Sequence, residues 1–413
     1  MAITNLTVSN FKSFKHLDLK LGRFNVVIGA NASGKSNFVE IFKFLKTLER
    51  ENLDDAVSLH GGATALTNLR LGCGHPLEMS IASDQQDTWA GWEATEVYET
   101  MYGFSLQIGS PQDRIVIKDD RFTQRFQAAI GDEGVEVTLG IVMSEGMRKA
   151  VMSPSDVLER IKEKGKLSSF LTIQKLFKLV QAKTVDALLL HHGFSGLLGF
   201  LGLSDILLPD IGVYDIDPRA VKRPHEIAGI TRLEENGENL ALVLKHVLAD
   251  PEKSRKFHNL LRYMLPFAME VGTEQYLGES VLLKLREEYY KDGLLANLLS
   301  DGTVDVVALI TALFFEDKDV VIIEEPERNV HPRIISGLLE LMKDASRNKQ
   351  IIVTTHSPEV VKHAGLENLL LISRDKEGFS TISRPAEKEA VKIFLQHDLG
   401  LDDLFVQDLL AVP

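Results

Sequence analysis

A short glycine-rich segment carries the clearest chemical signal in this chain of 413 residues. From Gly29 to Ser36 it reads GANASGKS, which fits the pattern G-x-x-x-x-G-K-[ST]. Glycines let such a loop turn tightly, so that backbone N–H groups and a helix N-terminus face a polyphosphate. In this pattern the Lys35 ammonium reaches the β- and γ-phosphates, and the Ser36 hydroxyl is a ligand for Mg²⁺. The segment therefore predicts a nucleotide-binding loop.

The pattern has this meaning only between a strand and a helix, and the flanking sequence predicts both. Residues 23–28 form a short apolar run typical of a buried strand, and residues 36–45 carry apolar side chains at helical spacing. The alternative is a Gly/Ser turn that binds nothing. The complete pattern in its proper setting favours phosphate binding.

Two adjacent carboxylates follow a second apolar stretch, residues 319–323. A loop that cleaves the phosphate it binds needs a carboxylate at a neighbouring strand tip, to hold Mg²⁺ directly or through water. Glu324 is placed for this metal-binding role. Glu325 points elsewhere and is predicted to polarise an attacking water. A strand cap of solvated acids is the alternative.

Two further segments are candidates for the same site. His356 ends the apolar run 351–355 and could hydrogen-bond the γ-phosphate or the attacking water, although a histidine at a strand end is more often structural. Ser300 or Asp301 would cap a helix whose first-turn amides could bind an anion. An ordinary N-cap is the plain alternative for that segment.

Composition bounds the class of protein. The formal net charge of −13 argues against a generally basic nucleic-acid coat, and 44% hydrophobic residues are typical of an ordinary globular protein. The single cysteine, Cys73, excludes a disulfide framework and a thiolate metal cage. The N-terminus lacks a signal pattern, and the most apolar region, 187–208, is interrupted by polar residues. We expect a cytoplasmic protein without a membrane partner.

The chain order predicts three parts. Alternating segments between residues 3 and 142, among them 114–117 and 135–142, predict an antiparallel sheet, joined to the glycine-rich loop, with a polar connection at about 51–74. Residues 145–267 are predicted to be a helical insertion, with a long helix at 166–190 and nine Lys/Arg against five Asp/Glu in 145–186. That block is a solvated bundle face or, alternatively, a surface for a nucleic-acid backbone. Helices are also predicted at 239–249 and 252–264. Residues 268–413 alternate helix and strand as a parallel α/β sheet does, with one of the helices at 332–345.

This combination resembles the ABC-like ATPase heads of the RecF, SMC and OLD-type families, and most closely the coiled-coil-free AAA family ATPases of bacterial anti-phage and stress operons. The resemblance rests on segments that these families share: Asn-Phe-Lys-Ser-Phe (10–14), the loop pattern with Asn31 and Asn37, Ser-Asp-Gly-Thr (300–303), Glu-Glu-Pro-Glu (324–327) with His-Pro (331–332), and Thr-His-Ser-Pro (355–358). The nucleotide-binding residues are then Gly29, Ala30, Asn31, Ala32, Ser33, Gly34, Lys35, Ser36 and Asn37.

The resemblance implies an α/β fold, an ABC-type P-loop ATPase head with an antiparallel β lobe and a parallel α/β core, made from residues 1–144 and 268–413. It implies ATP and Mg²⁺ as cofactors, with Ser36 and Glu324 as metal ligands and Lys35, Glu325 and His356 as catalytic residues. The signature segment, Ser300, Asp301, Gly302 and Thr303, would contact the γ-phosphate bound by an opposite subunit. ATP would then lie at a homodimer interface.

Three departures from the family pattern bear on details. The strand tip is Glu-Glu where ABC proteins have Asp-Glu, and Asp305 stands where the branch often has Arg. No glutamine lies between Asn37 and Asp84, which leaves Gln85 and Gln86 as weak candidates for sensing the metal.

The resemblance also limits the possible functions. An ATPase that switches an effector protein from the same operon, or a DNA-bound state, in anti-phage defence or DNA maintenance is the leading hypothesis. One alternative is an OLD-like nuclease with an ATPase switch, for which the D-x-D motif Asp215-Ile216-Asp217 is the candidate metal-binding segment. Another is an ATP-binding scaffold or sensor that holds a toxic effector, with 188–208 as a docking surface.

Overall fold

An antiparallel sheet of seven strands forms from the first part of the chain, in the order β2-β1-β4-β5-β6-β7-β8. The structure is a computed structural model, and it describes residues 1–84, 94–109, 114–130, 133–144, 147–163, 188–190, 208–227, 232–276, 278, 280–397 and 399–411. The seven strands are β1 (Ala2–Phe11), β2 (Phe14–Lys20), β4 (Leu77–Asp84), β5 (Ala94–Gly109), β6 (Arg114–Ile130), β7 (Glu133–Ser144) and β8 (Met147–Ser153). The expected antiparallel lobe is confirmed.

This sheet belongs to a unit made of residues Met1–Gly22, Ser36–Asp210 and Arg374–Ile382. Its helices are α1 (Lys35–Arg50, of which Lys35 belongs to the other unit), α2 (Leu53–Leu59), α3 (Ala63–Leu66) and α4 (Val157–Glu163). Helix α1 buries an aromatic face, in which the rings of Phe38 and Phe42 meet edge to face at 5.2 Å. Phe44 of the same helix packs against Phe11 of β1, with ring centroids 6.1 Å apart. Apolar side chains at helical spacing therefore join α1 to the sheet.

The second unit consists of residues Arg23–Lys35, Ile211–Ser373 and Ser383–Pro413. Its parallel strands lie side by side in the order β16-β3-β15-β14-β9. They are β3 (Phe24–Ile28), β9 (Ile211–Tyr214), β14 (Val320–Glu324), β15 (Gln350–Thr355) and β16 (Leu369–Arg374). Every residue of β3 and β15 is buried, as expected for inner strands that are covered on both faces.

A small antiparallel sheet also lies in the second unit. Strand β12 (Ser280–Glu287) pairs with β11 (Ala268–Tyr276), β10 (His225–Glu226) and β13 (Leu294–Leu295). A last strand, β17 (Ser380–Ser383), follows β16 in the chain. The helices from residue 211 onward are α5 (Pro218–Val221), α6 (Leu240–Ala249), α7 (Pro251–Met264), α8 (Asp301–Phe314), α9 (Pro332–Ala345), α10 (Pro358–Ala364), α11 (Glu389–Gln396) and α12 (Leu401–Val406). Short 3₁₀ turns occur at Gly72–Gly74, Ala296–Leu298, Leu366–Asn368, Pro385–Glu387 and Leu409–Ala411.

Some local expectations were wrong. The connection expected at 51–74 contains α2 and α3, and α2 begins at Asn52, whose side chain accepts a hydrogen bond from the Asp55 N–H and so caps the helix. Residues Leu188–Leu190, the described end of the expected helix 166–190, form a turn rather than a helix. The other residues of that helix, and Gln85 and Gln86, lie outside the described residues.

The helical insertion at 145–267 stays a prediction as a domain. Within it, the described residues contain strand β8 at one end and strand β9 further on, and these pair in the seven-stranded sheet and in the parallel sheet. Helices α6 and α7 lie close to the expected positions, 239–249 and 252–264. One of the changes from the first compact unit to the second, after Asp210, falls within this segment.

Candidate nucleotide site

The glycine-rich loop leaves β3 at Gly29 and ends where α1 begins at Lys35. Gly29 is buried, and a Cβ there would lie 2.4 Å from the Ile372 carbonyl oxygen, so only glycine fits. Ala32 (φ 61°) and Gly34 (φ 120°) both have left-handed backbones. The loop turns back through the Ser33 N–H, which donates to the Ala30 carbonyl at 3.2 Å. This is the tight strand-to-helix turn that the sequence predicts.

Lys35 points back over this loop. Its ammonium donates to the carbonyl oxygens of Gly29, at 2.7 Å, and Ala30, at 3.1 Å. Burial lowers the pKa of Lys35, while the nearby carboxylates of Glu325 and Glu327 oppose that shift. The predicted loop lysine and the predicted strand-tip acid therefore influence each other within the second unit, although almost 300 residues separate them in the chain.

The acids at the end of β14 lie at the carboxyl edge of the parallel sheet. Glu324 is the last residue of the strand and is half-buried, opposite Thr354 of β15. Glu325 leaves the strand with a left-handed backbone (φ 46°), and its N–H donates to the Thr354 carbonyl at 2.8 Å. The strand conformation therefore ends between these two adjacent acids.

Both carboxylate oxygens of Glu325 have cationic or polar partners. Oε1 lies 2.9 Å from Nδ1 of His356, and Oε2 accepts a hydrogen bond from Arg328 at 3.0 Å. Burial of the Glu325 carboxyl would raise its pKa, but the contacts with Arg328 and His356 outweigh this effect and the pKa lies below its ordinary value. Glu325 is therefore an ionised acceptor in a fixed orientation.

Arg328 and Glu327 were not predicted as site residues. Arg328 also donates to Asp215 at 3.0 Å, so it joins the tip of β14 to the end of β9. Glu327 accepts a hydrogen bond from the Thr355 hydroxyl, and burial raises its pKa against that bond. The sequence signal for both was their place in the Glu-Glu-Pro-Glu-Arg run, but nothing in the sequence gives their partners.

The predicted signature residues form the start of α8. Ser300 is the N-cap, and its hydroxyl accepts a hydrogen bond from the Thr303 N–H at 3.1 Å. Ser300 and Asp301 are exposed, and Asp301 forms an ion pair with Lys222. A Cβ on Gly302 would lie 2.4 Å from the Asn329 carbonyl oxygen. The hydrogen bonds of this segment are those of a capped helix, which agrees with the plain alternative and leaves the exposed face available.

Asp215 and Asp217 of the D-x-D motif have separate structural partners. Asp215 accepts from Arg328, and Asp217 caps α5 by accepting from the Arg219 N–H at 2.9 Å. Across the described residues, no group of three or more His, Cys, Asp or Glu side chains is suited to hold a metal ion. These contacts do not support the OLD-like nuclease alternative.

The donor set suits Mg²⁺, which prefers hard oxygen ligands and keeps several waters. Ser36 offers an exposed hydroxyl in the first turn of α1, and Glu324 offers a half-buried carboxylate at a strand tip. Asn31 is exposed and Asn37 is half-buried, on either side of the lysine. Among the predicted site residues, Lys35, Glu325 and His356 are those that the structure brings together.

Comparison with known proteins gives two matches to protein families. Residues 1–108 match the family described as "AAA ATPase domain", and residues 180–362 match the one described as "AAA domain, putative AbiEii toxin, Type IV TA system". Two stretches of this chain thus match AAA-type ATPase domains. The AAA-family matches contain the glycine-rich loop and the strand-tip acids respectively, and they support ATP hydrolase activity.

Three solved structures of SMC heads are similar to this chain. An SMC head crystallised with the C-winged helix domain of ScpA is 16% identical, covers 93% of this chain and 97% of its own, and has a TM-score of 0.51. The SMC head of Pyrococcus furiosus, with an extended coiled coil, is 13% identical over 96% and 100% of the two chains, with a TM-score of 0.48. That of Thermotoga maritima is 14% identical over 93% and 99%, with a TM-score of 0.40. The first of these matches the mixed α/β, ABC-type ATPase fold.

One curated relative covers a smaller part of the ATPase. The uncharacterised protein MJECL43 of Methanocaldococcus jannaschii is 28% identical over 94 residues, which is 22% of this chain and 24% of that protein. The chain thus matches about a quarter of the length of this relative. Within the described residues, no helix is both long and apolar enough to cross a membrane.

Proposed function

We propose that this chain is a Mg²⁺-dependent ATPase that dimerises around ATP and uses hydrolysis to switch a partner effector or a DNA-bound state. The observation that carries the proposal is the grouping of Lys35, Glu325 and His356 at the carboxyl edge of one parallel sheet. Each of these residues follows a different strand of that sheet, namely β3, β14 and β15. Such a grouping is what phosphoryl transfer to water requires, because that reaction depends on positioning and on charge stabilisation.

Each side chain has a proposed role in hydrolysis. Lys35 has three N–H donors, of which two bond the loop carbonyls, and it stabilises charge on the γ-phosphate. Glu325 accepts a hydrogen bond from the attacking water, and its low pKa keeps it ionised for that purpose. Nδ1 of His356 donates to Glu325, so Nε2 faces the water or the phosphate. Mg²⁺, held by Ser36 and Glu324, would neutralise phosphate charge.

The proposal also includes a dimer and a biological role. The exposed Ser300 and Asp301 at the N-terminus of α8 are suited to contact a phosphate bound by a second copy. The description of the second matched family, with its AbiEii toxin and toxin–antitoxin system, supports a role in anti-phage defence. An SMC head bound to a ScpA domain supports a protein partner for such heads. We place the protein in the cytoplasm, with DNA as a second partner.

The decisive measurement is steady-state ATP hydrolysis with and without Mg²⁺. We expect Lys35→Ala and Glu325→Gln each to lower the rate by about 100-fold or more, since removing a charge-stabilising or water-orienting group costs that much. Glu325→Gln should still bind ATP, because the side chain acts on the attacking water.

A matched control separates the site from general charge loss. Glu389→Gln removes a carboxylate that is 79% exposed on α11, and it should hydrolyse ATP like the unmodified protein. Equal hydrolysis rates for Glu325→Gln and Glu389→Gln would remove Glu325 from the proposed role. No hydrolysis by the unmodified protein, alone or with DNA, would leave an ATP-binding scaffold in its place.

A further inference from the structure

A buried carboxyl group lies one turn beyond the signature segment. Asp305 of α8 is only 5% exposed, and it follows Val304 and precedes Val306 in a helix that is buried almost throughout. Burial of a carboxylate among apolar side chains is costly unless the group is neutral or has partners. An acid at this position therefore needs a structural or functional reason.

Within the described residues, Asp305 hydrogen-bonds one side chain. Its Oδ2 accepts a hydrogen bond from the Asn329 amide at 3.1 Å, while its Oδ1 is buried without a hydrogen-bond partner. Burial raises the pKa of Asp305 to about 7, helped by Asp301 and opposed by Asn329, Arg328 and Lys222. The bond to Asn329 does not depend on ionisation, because a protonated carboxyl can still accept through one oxygen.

Asn329 is held at a second point as well. Its backbone is left-handed (φ 61°), and its carbonyl oxygen is so close to Gly302 that a Cβ there would lie 2.4 Å away. The turn before it is closed by Arg328 N–H to Glu325 carbonyl at 3.0 Å and Val330 N–H to Glu327 carbonyl at 3.1 Å. Helix α8 thus contacts Asn329 through a side chain at one turn and through backbone at another.

Asp305 also lies near the acids at the tip of β14. Asp305, Glu324, Glu325 and Arg328 line one small cavity of about 10 Å³, closed by apolar side chains that include Ile216 and Leu309. A volume of this size holds no more than about one water. Because Asp305 and Glu325 line the same small cavity, a displacement of the turn 325–329 relative to α8 would also displace Glu325.

We propose that Asp305 is a positioning residue, which hydrogen-bonds Asn329 and so fixes the turn after β14 against the signature end of α8. Through this bond the start of α8 and the turn that carries Glu325 move as one block. The effect on turnover rests on the proposed function, whereas the effect on the turn itself does not.

The test compares two substitutions of the acid. Asp305→Asn keeps the shape and an acceptor oxygen, whereas Asp305→Leu keeps approximate volume and removes the acceptor. We expect Asp305→Leu to lower kcat by about tenfold, with the Kd of a fluorescent ATP analogue almost unchanged, since one positioning hydrogen bond is lost. Hydrogen exchange of the Arg328 and Val330 amides should become faster. Asp305→Asn should match the unmodified protein in all three measurements.

Two further variants make the result decisive. Thr311→Val removes another buried polar group of α8, whose hydroxyl bonds the Val307 carbonyl of its own helix, and it should leave the turn unchanged. Asn329→Gly keeps a left-handed backbone and deletes the amide, so it should reproduce Asp305→Leu from the other side, including when Asp305→Leu does not fold.

Unchanged amide exchange at Arg328 and Val330 in both Asp305→Leu and Asn329→Gly would overturn the proposal. Equal losses of kcat in Thr311→Val and Asp305→Leu would also overturn it. If the unmodified protein does not hydrolyse ATP, the proposed function fails, and amide exchange alone decides the role of Asp305.

Discussion

Glu325 shows how much of the proposed chemistry depends on the conformation of one residue. Its left-handed backbone turns the side chain out of the strand, where Arg328 and His356 each bond one carboxylate oxygen. A side chain held at both oxygens loses little freedom when it orients a water, and this is the advantage of preorganisation. The adjacent pair of acids was recognisable in the sequence. The different roles that we propose for them depend on this backbone turn, which no residue type in the sequence required.

Arg328 gives the first residue-scale prediction. Arg328→Ala removes a cation that lowers the pKa of Glu325, so that pKa rises and the carboxylate becomes protonated at higher pH. The acid limb of the pH–kcat profile should therefore move to higher pH, so that Arg328→Ala loses activity at acidic pH before the unmodified protein does. Arg328→Lys keeps the charge and should shift the limb less. An unmoved acid limb in Arg328→Ala would show that Glu325 does not control it.

Glu40 of α1 gives a second prediction, about stability. Its carboxylate contacts His60, at 3.4 Å, and Lys12, at 3.1 Å, and these contacts lower its pKa to about 2 against the effect of burial. Because the pKa of Glu40 is lower in the folded state than in the unfolded chain, its ionised carboxylate stabilises the fold fully above about pH 4.5. This contribution is lost as the pH falls toward 2. At pH 7.5 the free energy of unfolding of Glu40→Gln should be lower by about 1–3 kcal/mol than that of the unmodified protein. This figure is reduced from the full effect of the pKa shift, because water screens the partly exposed carboxylate.

Urea unfolding at pH 7.5 and at pH 3 checks the sign. The difference between Glu40→Gln and the unmodified protein should shrink at the lower pH, because at pH 3 the Glu40 carboxyl is largely protonated in the unfolded chain and still largely ionised in the folded one. Glu51→Gln, at an exposed acid just beyond α1, should show no such difference at either pH. A constant difference at both pH values would mean that lost packing, and not lost charge, destabilises the variant.

Helices and strands with a regular apolar pattern were predictable from the sequence. Strands whose polar residues pair with distant strands were not. The apolar runs of β3, β14 and β15 and the helix at 332–345 were found within one or two residues, because inner strands and amphipathic helices have strong local patterns. Strand β6 was expected only at 114–117 but runs for 17 residues, since its polar residues face solvent or pair across the sheet. Strand β8 was missed for the same reason.

A buried ion pair explains why β8 belongs to the sheet. Arg148 of β8 pairs with Asp120 of β6, and both side chains are almost completely buried. Asp120 also accepts from the Tyr102 hydroxyl at 3.0 Å and from the Leu189 N–H at 3.0 Å. In the sequence Arg148 was one of nine basic residues in a block that we attributed to a bundle face or a nucleic-acid surface. Its partner, 28 residues away, could not be read from the pattern.

This ion pair gives the prediction at the scale of the sheet. Arg148→Met leaves Asp120 buried without its cation and should destabilise the fold by about 3–5 kcal/mol, as seen when one member of a buried pair is removed. Adding Asp120→Leu should recover a large part of that loss. Arg121→Met, at an exposed position on β6, is the control and should be nearly neutral in urea unfolding. A neutral Arg148→Met would contradict the importance of the pair.

For the whole molecule, the proposed dimer is the property to test. Glu325→Gln should hold ATP without turnover, so a dimer should accumulate with Mg-ATP and be visible by light scattering after size-exclusion chromatography. Adding Ser300→Arg places a large cation at the exposed start of α8 and should return the protein to a monomer. Ser58→Arg, at an exposed serine of α2, should leave the dimer intact. A monomer in Glu325→Gln with ATP would contradict the sandwich arrangement.

The two-sheet architecture of the whole chain was predictable, because the alternation of residues 3–142 and the helix–strand order after residue 268 have different periods. The place of β9 in the sheet was less accessible. The sequence indicates a strand at 212–216, but not its position beside β14, which lies more than 100 residues later in the chain. A local pattern indicates that a strand forms and does not give the neighbour with which it pairs.

The division of the chain into its two units has a practical consequence. The backbone passes from one unit to the other after Gly22, Lys35, Asp210, Ser373 and Ile382. Neither half of the molecule can therefore be obtained as one uninterrupted piece of polypeptide. A fragment that stops before residue 211 would retain the glycine-rich turn but lose four of the five parallel strands that hold it. Truncation is thus a poor way to isolate either unit. Point substitutions in the intact chain are the appropriate tool.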